Sequence, residues 1–498
     1  MLKSALRSSA KIIASSWRED PLRLVAMSVA SAWLLGTAVL SPASARGDGG
    51  EYHLMAESLA GHLTPALRAA DVASLASRAR REGLDLNLPA ALLGYFEAGN
   101  GAWYCYHFWG YSLATLPVRL VLAPLHLQLR APQVLNAVLL LLALHQALYA
   151  TNWPRAAAMG LFGLAVFSPA AWFVLWTHPE SYCFALTLLA LVWSSGHRHT
   201  GAITLAAIAA TQNPPLAFLV VVLAARAYWL QRKARAWLDV TAAAHVTLAA
   251  LPMAVAPLFY MATFGTPSVL ARESTDWRFF SLSRFVELVM DLNIGLLPYL
   301  PLAVPLFFLA LILKPKLSRS TLGFVLAIAA LACTFTGNWN HGTSGPSRYG
   351  VWLAALLIFV VSDAHASALE HGSLRAARAW TLVVASAVCA QAIVVFARGG
   401  LRQPMDALQH SWAASLVLRW APDRYNPSPE IFVSRTRGAF STGARPAVYL
   451  DAHGCRKAWV RPKDANWLRS RCGLLPESQT AFFEQTTHRR EWRYISWP

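Results

Sequence analysis

Apolar residues dominate long stretches of the chain and are interrupted by short polar or basic clusters. The first apolar stretch covers residues 22–40. Ten further stretches lie near residues 133–151, 156–176, 181–195, 201–212, 214–230, 239–264, 290–313, 320–336, 349–362 and 379–397. Several of them are shorter than the ~20 residues that a helix needs to cross a bilayer. The pattern nevertheless predicts an all-α polytopic membrane protein.

Basic clusters indicate on which side of the membrane each loop lies, because loops rich in Lys and Arg tend to stay in the cytoplasm. Residues 1–20 carry Lys3, Arg7, Lys11 and Arg18 and no acid before Glu19, so this segment is predicted to be cytoplasmic. Three further basic clusters, at residues 225–237, 314–319 and 375–378, are predicted to be cytoplasmic as well. Residues 265–288, residues 337–348 and everything after Arg398 are then predicted to lie outside.

Parity requires one apolar segment that does not cross the membrane. With the sides assigned as above, residues 133–151 must run inward, so residues 106–126 cannot also cross. This segment contains His107, Pro117 and Arg119 and is rich in aromatic residues, which favour the headgroup region. We expect an interfacial or re-entrant helix over residues 105–126, within a long first outer loop (residues 46–132).

The predicted architecture is therefore about eleven transmembrane helices with a cytoplasmic N-terminus and an extracytoplasmic C-terminus. It divides into a cytoplasmic segment (1–20), a transmembrane domain (21–399) and a small extracytoplasmic α+β domain (400–498). One alternative concerns the first helix. Residues 41–45, SPASA, end in the small-x-small pattern of a signal-peptidase site, and cleavage there would remove that helix.

Composition and charge fit this class of protein. The chain has 498 residues, of which 56% are hydrophobic and 14% are charged. Its net charge of +18 is scattered in short clusters rather than gathered on one domain, so no nucleic-acid partner is predicted. The six Cys show no spacing that suits zinc. Cys455 and Cys472 lie in the predicted outer tail, where a disulfide would persist, and the sequence leaves open whether they are bridged.

Two carboxylates follow the first apolar stretch directly, in the segment ARGDGGEYHLMAESL (45–59). Asp48 and Glu51 are three residues apart and share one face if a helix starts at the glycines between them. Two interpretations are open. Acids in a first turn stabilise a helix through its dipole, and a carboxylate pair at a membrane surface also suits a functional site.

Three other outer segments place polar residues at predicted helix ends. Residues 337–350 contain His341 and end in Arg348, which suits a phosphate or, equally, lipid headgroups. Residues 177–181, THPES, put Glu180 where an acid also simply stabilises a helix start. Residues 102–112 surround His107 with aromatic rings, which suit an isoprenoid tail, a sugar ring or an ordinary aromatic belt. All these segments fall on the same predicted side.

These residues together resemble a known family. The segments GDGGEYHLMAESL, YHFWGYSLATLP, SPAAWFVLWTHPESYCFAL and GTSGPSRYGVWLAALL are similar, in order and spacing, to bacterial membrane glycosyltransferases of the GT-C superfamily. The relatives concerned use lipid-linked sugar donors, such as the aminoarabinose, mannosyl and arabinosyl transferases. The resemblance covers roughly residues 20–400 and does not include the tail.

The resemblance implies a catalytic role for Asp48, as the first-loop acid and general base, with Glu51 beside it. It implies that His107, Glu180, His341 and Arg348 bind substrate, with Arg348 and then His341 next to the leaving phosphate. Many members have an Asp where this chain has THPE, which puts the role of Glu180 in question.

The implied partners are the lipid bilayer, a polyprenyl-phosphate-sugar donor and a glycan, lipid or protein acceptor, at the outer face of a bacterial inner membrane. No cofactor is certain. Carboxylates suit a divalent cation, but two or three acids do not specify one, so the metal remains unknown.

Two other classes of protein share this composition. A lipid or saccharide transporter or flippase would place ionisable residues in the middle of its helices; His145 and His245 are the clearest candidates here. A non-catalytic scaffold would use the helices only to present the tail. The absence of an internal repeat disfavours the transporter.

Overall fold

The chain is largely helical, with about 70% of the described residues in helices. A computed structural model describes residues 20–234, 240–313, 316–340, 345–402, 408–441, 443–473, 482–483 and 491–497. The predicted cytoplasmic segment 1–20 lies outside these ranges except for Asp20.

The first half of the described chain contains nine α-helices and one hairpin. They are α1 (Pro21–Leu40), α2 (Gly49–His62), α3 (Ala69–Glu82), α4 (Leu88–Leu92), β1 (Tyr95–Glu97), β2 (Trp103–Cys105), α5 (Gly110–Leu122), α6 (Ala131–Tyr149), α7 (Arg155–Val166), α8 (Glu180–Ser195) and α9 (His199–Gln212).

The second half of the described chain continues the helical pattern and ends in a small sheet. Its elements are α10 (Ala217–Ala234), α11 (Val240–Ala250), α12 (Pro252–Phe264), α13 (Val269–Ser274), α14 (Leu282–Met290), α15 (Ala303–Leu313), α16 (Leu317–Cys333), α17 (Arg348–His371), α18 (Leu374–Ala397), α19 (Trp412–Trp420), α20 (Pro429–Arg437), β3 (Ala447–Asp451), β4 (Gly454–Val460), α21 (Ala465–Cys472) and β5 (Arg493–Ser496).

Four helices among the described residues are long and apolar enough to cross a membrane: α1, α17, α18 and the helix Gln128–Tyr149 that contains α6. A fifth candidate is the bent pair α11 and α12, whose axes differ by 53°. Six shorter apolar helices have 10–17 residues. These helices are compatible with a membrane protein, but only four or five meet the length that a full crossing requires, not the eleven predicted.

Proline explains why two of the predicted continuous stretches are broken. The stretch 156–176 divides into α7 and a short 3₁₀-helix, Pro169–Phe173, because Pro169 has no N–H with which to continue the helix. Pro252 separates α11 from α12 in the same way. In the stretch 290–313 only α15 is α-helical. The length of an apolar stretch in the sequence therefore overestimates the length of the helix that it forms.

Helix α8 lies at the centre of the bundle and packs against α6, α9 and α17. All its residues from Glu180 to Val192 are buried. The outer helices α1 and α18 are different, because Leu40, Leu382 and Ile393 leave 68–74% of their side-chain area exposed. Large exposed apolar side chains along a helix suit contact with lipid.

The predicted first outer loop is built from four short helices and the β1–β2 hairpin. The predicted interfacial segment 105–126 contains α5, which starts only at Gly110 because residues 103–105 pair with β1. Glu57 on α2 connects three helices of this loop. It accepts hydrogen bonds from Arg119 on α5 at 2.7 Å and from Arg78 on α3 at 2.9 Å. The Arg119 and Glu57 side chains are buried.

The tail combines helices with an antiparallel sheet in the order β3-β4-β5. A disulfide between Cys455 and Cys472 connects β4 to the end of α21, which answers the question that the sequence left open. The tail is attached to the segment after α14, where Tyr425 donates a hydrogen bond to Asp291 at 2.7 Å.

Loss of the buried ion pair is expected to destabilise the outer loop. Arg119→Met leaves Glu57 with a buried charge and one fewer partner, so we expect a loss of about 3 kcal/mol and a clearly lower thermal unfolding midpoint in detergent. The matched control is Arg155→Met, which removes an Arg that pairs with Asp20 but is 53% exposed; its midpoint should change little. Equal effects of the two substitutions would contradict a structural role for the Glu57 network.

Candidate functional site

Four separate segments meet at one end of the bundle. Asp48 directly precedes α2, Glu180 is the first residue of α8 and Arg348 is the first residue of α17. His107 lies between β2 and α5. Each side chain therefore projects from the end of an element, where the chain leaves the apolar bundle and charged groups can be placed at lower cost.

Asp48 occupies the N-cap position of α2 but does not cap the helix with its side chain. Its Oδ2 instead accepts a hydrogen bond from Arg348 Nη1 at 2.7 Å, and His107 Nε2 lies 3.0 Å from the same oxygen. A capping Asp typically contributes about 1 kcal/mol to a helix. The side chain forgoes this contribution, so helix capping does not explain why an acid stands at this position.

Glu51 lies one turn further along α2 and is 5% exposed. Its Oε2 is 3.6 Å from His107 Nε2 and 3.5 Å from the Cys105 thiol, which donates to it. A Cβ at Gly94 would come within 2.3 Å of the Glu51 carboxyl carbon. Gly94 therefore leaves the space in which this carboxyl group lies.

The two carboxyl groups have opposite pKa shifts although they are neighbours. Burial alone would raise the pKa of Asp48, but the charge of Arg348 and the hydrogen bond to His107 outweigh it and hold that pKa well below its usual range. Burial raises the pKa of Glu51 to about 7, and the nearby negative charge of Asp48 contributes to the increase. Near neutral pH, Asp48 is thus ionised while Glu51 exchanges a proton readily.

His178 and Glu180 complete the cluster on its α8 side. His178 Nδ1 is 3.5 Å from Glu180 Oε2, and its Nε2 is 3.9 Å from Asp48 Oδ2. Within the described part of the chain, His178 Nε2, Glu180 Oε2 and Arg348 Nε are buried without a hydrogen-bond partner. Buried polar atoms are usually paired, so these three atoms are candidates for contact with a ligand.

Aromatic rings hold the two imidazoles in place. Tyr52 stacks on His107 with ring centroids 5.2 Å apart and contacts His178 edge-on at 5.4 Å. Trp176 covers the other side of His178 at 4.3 Å. Gly47 adopts a φ of +58° against this Trp, a conformation that favours glycine.

Five of the six residues predicted for the site lie together: Asp48, Glu51, His107, Glu180 and Arg348. His341 lies outside the described residues. The sequence prediction left out Tyr52, Cys105 and His178. Tyr52 had a usable signal, since it lies four residues after Asp48 and hence on the same helical face. Arg348, predicted to contact phosphate, is already paired with Asp48.

A cavity of about 510 Å³ lies against Trp176, the residue that packs on His178. Arg46 and Arg402 line it, together with Trp176, whose indole N–H donates to the Arg46 carbonyl at 3.0 Å. Both Arg side chains are on exposed residues, and neither has a carboxylate within 4.0 Å among the described residues. The cavity therefore offers two cations to an anionic ligand.

The cluster does not form a set of metal ligands: no group of three or more His, Cys, Asp or Glu in the described ranges is arranged to hold a metal ion. The same carboxylate oxygen of Asp48, Oδ2, contacts both Arg348 and His107.

Comparison with protein-family models, with curated proteins and with solved structures gives no match. The function of the site is therefore inferred from its own geometry.

We expect the Glu51 carboxyl group to titrate near pH 7, together with Glu287, whose pKa burial also raises to about 7. Infrared spectroscopy should show the C=O band of protonated carboxyl groups decreasing as the pH rises through this value. Glu51→Gln should remove one component of the band and Glu287→Gln the other. Asp48→Asn should shift the Glu51 component to lower pH, because it removes a negative charge. A band unchanged by Glu51→Gln would show that Glu51 is ionised throughout.

Proposed function

We propose that this protein is a membrane glycosyltransferase that moves a sugar from a polyprenyl-phosphate donor to an envelope acceptor. The observation that supports it most is the carboxylate pair, in which Asp48 stays ionised while Glu51 has a pKa of about 7. General acid–base catalysis works best when the pKa of the catalytic group is close to the working pH. The resemblance of the first outer loop to such enzymes points in the same direction.

In the proposed reaction, the acceptor hydroxyl oxygen attacks the anomeric carbon and the bond from that carbon to the phosphate oxygen breaks. The hydroxyl proton passes to the Glu51 carboxylate, and the electron pair leaves with the polyprenyl phosphate. Asp48 holds His107 and Arg348 in place, and its charge adds to the effect of burial, which is the main cause of the high Glu51 pKa. This assignment moves the proton transfer from Asp48, expected from the resemblance, to Glu51.

Arg46 and Arg402 are proposed to bind the phosphate of the donor. Arg348 is neutralised by Asp48, whereas these two Arg residues line the adjoining cavity without a carboxylate partner in the described chain. A second, smaller cavity of about 200 Å³ shares Leu401 and Arg402 and is lined by Trp33 and Phe396. It lies between the lipid-exposed helices α1 and α18, where a polyprenyl chain could approach from the bilayer.

The eleven-crossing topology is part of this proposal. It requires α7, α8, α9, α10, α15 and α16 to cross together with the longer candidates. These helices are shorter than the ~20 residues of a full crossing, so flanking 3₁₀ and extended segments would complete the passage inside the bundle. The proposal puts the Asp48 cluster and the disulfide-containing tail on the outer face of a bacterial inner membrane, where disulfides persist.

Substitution of either carboxylate is expected to abolish transfer. Glu51→Gln should lower the rate by about 10²–10⁴-fold, the usual contribution of an acid–base group. Asp48→Asn should also lower it, because Arg348 and His107 lose the carboxylate that positions them. The control is Asp85→Asn, an exposed Asp of the same outer loop. The measurement is mass spectrometry of envelope lipids, polysaccharides and proteins from cells with the wild-type chain, with no chain and with each variant at equal membrane abundance.

One glycan should lose a sugar in the null strain and in both carboxylate variants, and the missing mass identifies the sugar. If the null strain changes an envelope component but both carboxylate variants restore it fully, the catalytic assignment is wrong. A transporter or a scaffold would then explain the null strain.

Loss of the two Arg side chains that line the cavity is expected to weaken binding of the donor and to have a smaller effect on the rate of the chemical step. Arg46→Gln combined with Arg402→Gln should raise KM for the lipid-linked donor by ten-fold or more, with a smaller change in kcat, since charge-assisted hydrogen bonds contribute about 1.5–3 kcal/mol each. Arg424→Gln, at an Arg whose side chain is 82% exposed, is the control. An unchanged KM would remove these residues from the phosphate site.

A further inference from the structure

A second cavity lies at the opposite end of the bundle from the Asp48 cluster. Helices α8 and α17 both start in the cluster, at Glu180 and Arg348, and both reach the cavity further along, at Ser194 and Asp363. At 1.5 Å per residue these separations are about 21 Å and about 22 Å. The cavity is therefore near the other membrane surface and does not belong to the candidate active site.

The cavity has a volume of about 410 Å³ and is lined by α8, α10, α16 and α17. Most of its wall is apolar, formed by side chains such as Leu191, Val222, Leu322 and Phe359. Its polar residues include Ser194, Arg226, Arg319 and Asp363. A mainly apolar cavity with a few convergent polar groups is the usual form of a small-molecule site.

The polar part of the cavity carries excess positive charge. Arg319 donates to Asp363 Oδ2 at 2.6 Å, so those two charges compensate each other. Within the described part of the chain, Arg226 donates a long hydrogen bond, 3.4 Å, to the Ser194 hydroxyl, and no carboxylate there lies within 4.0 Å of it. Lys316 lies close by, because its ammonium group and Arg319 both donate to Ser367. An anionic group would complement this charge.

We propose that this cavity binds an anionic diacyl phospholipid from the leaflet opposite the candidate active site. The phosphate contacts Arg226 and the Ser194 hydroxyl, and one acyl chain lies against Leu191, Val222 and Phe359. The exposed Trp229 next to Arg226 also lines the cavity and suits the headgroup level of a bilayer. A lipid in this position would bridge α8 and α10, which meet across the cavity.

Charge and apolar lining together favour a lipid over a water-soluble anion. Arg226 alone would attract any phosphate, but the apolar wall gains free energy only from a ligand with its own apolar surface. A neutral phospholipid also has acyl chains, but it lacks the net negative charge that Arg226 and its basic neighbours favour. The inference rests on the proposed topology but not on the transferase chemistry, because the cavity and the Asp48 cluster share no residue.

The test uses the delipidated full-length protein in detergent, with binding followed by native mass spectrometry and by the thermal unfolding midpoint. The probes are dioleoylphosphatidylglycerol, dioleoylphosphatidylcholine and inorganic phosphate. The variants are Arg226→Gln, which removes the charge, and Ala225→Phe, which fills the cavity from a residue that lines it. The control is Arg198→Gln, which removes an exposed Arg close to the same end of α8 but outside the cavity.

We expect phosphatidylglycerol to bind and to raise the midpoint, and phosphatidylcholine to bind about ten-fold more weakly. Arg226→Gln should weaken phosphatidylglycerol binding about ten-fold, the loss expected for one charge-assisted hydrogen bond, and Ala225→Phe should reduce it as well. Arg198→Gln should have no effect. Equal binding of phosphatidylglycerol by the wild type and by Arg226→Gln would overturn the proposal. The proposal would also be overturned if inorganic phosphate raised the thermal unfolding midpoint as much as phosphatidylglycerol does.

Discussion

The hydrogen-bonded ion pair between Asp48 and Arg348 is the interaction on which the site depends. It joins residues 300 positions apart and fixes the start of α2 relative to the start of α17. In a region of low dielectric constant such a pair must be complete, because either charge alone would be buried without compensation. Burial is the main cause of the raised pKa of the adjacent Glu51; the charge of Asp48 adds to this increase and the charge of Arg348 opposes it.

The apolar bundle provides the rigid support for this pair. Helix α8 is buried along almost its whole length and begins with Glu180, so its packing determines where His178 and Glu180 lie. On the other side, Glu57 holds α2, α3 and α5 together through Arg119 and Arg78. Because Asp48 directly precedes α2, Glu51 lies on α2 and α5 follows His107, this second charge network positions three residues of the first one. Two buried ion networks therefore share the outer loop as their scaffold.

The sequence could predict which residues gather at the candidate site better than it could predict the lengths of the helices. Asp48 and Glu51 were found because they follow an apolar helix, and Glu180 and Arg348 because they begin later ones. The contacts between them could not be predicted, since hydropathy carries no information about which helix ends are neighbours. Breaks at Pro169 and Pro252 divided stretches that looked continuous. The role of Gly94 could not be predicted either, because Gly94 leaves space for the carboxyl group of Glu51, a residue 43 positions earlier in the chain.

The distribution of cations follows from the same electrostatic constraint. An Arg that is paired with a carboxylate has little net charge to offer a ligand, and Arg348 is paired in this way with Asp48. An anionic ligand has to be attracted by cations that lack such a partner, and Arg46 and Arg402 line the adjoining cavity on exposed residues. The charges of Asp48 and Arg348 thus neutralise each other within the cluster. The charges of Arg46 and Arg402 have no such partner in the described chain, and these residues are exposed, where water lowers the free-energy cost of an unpaired charge.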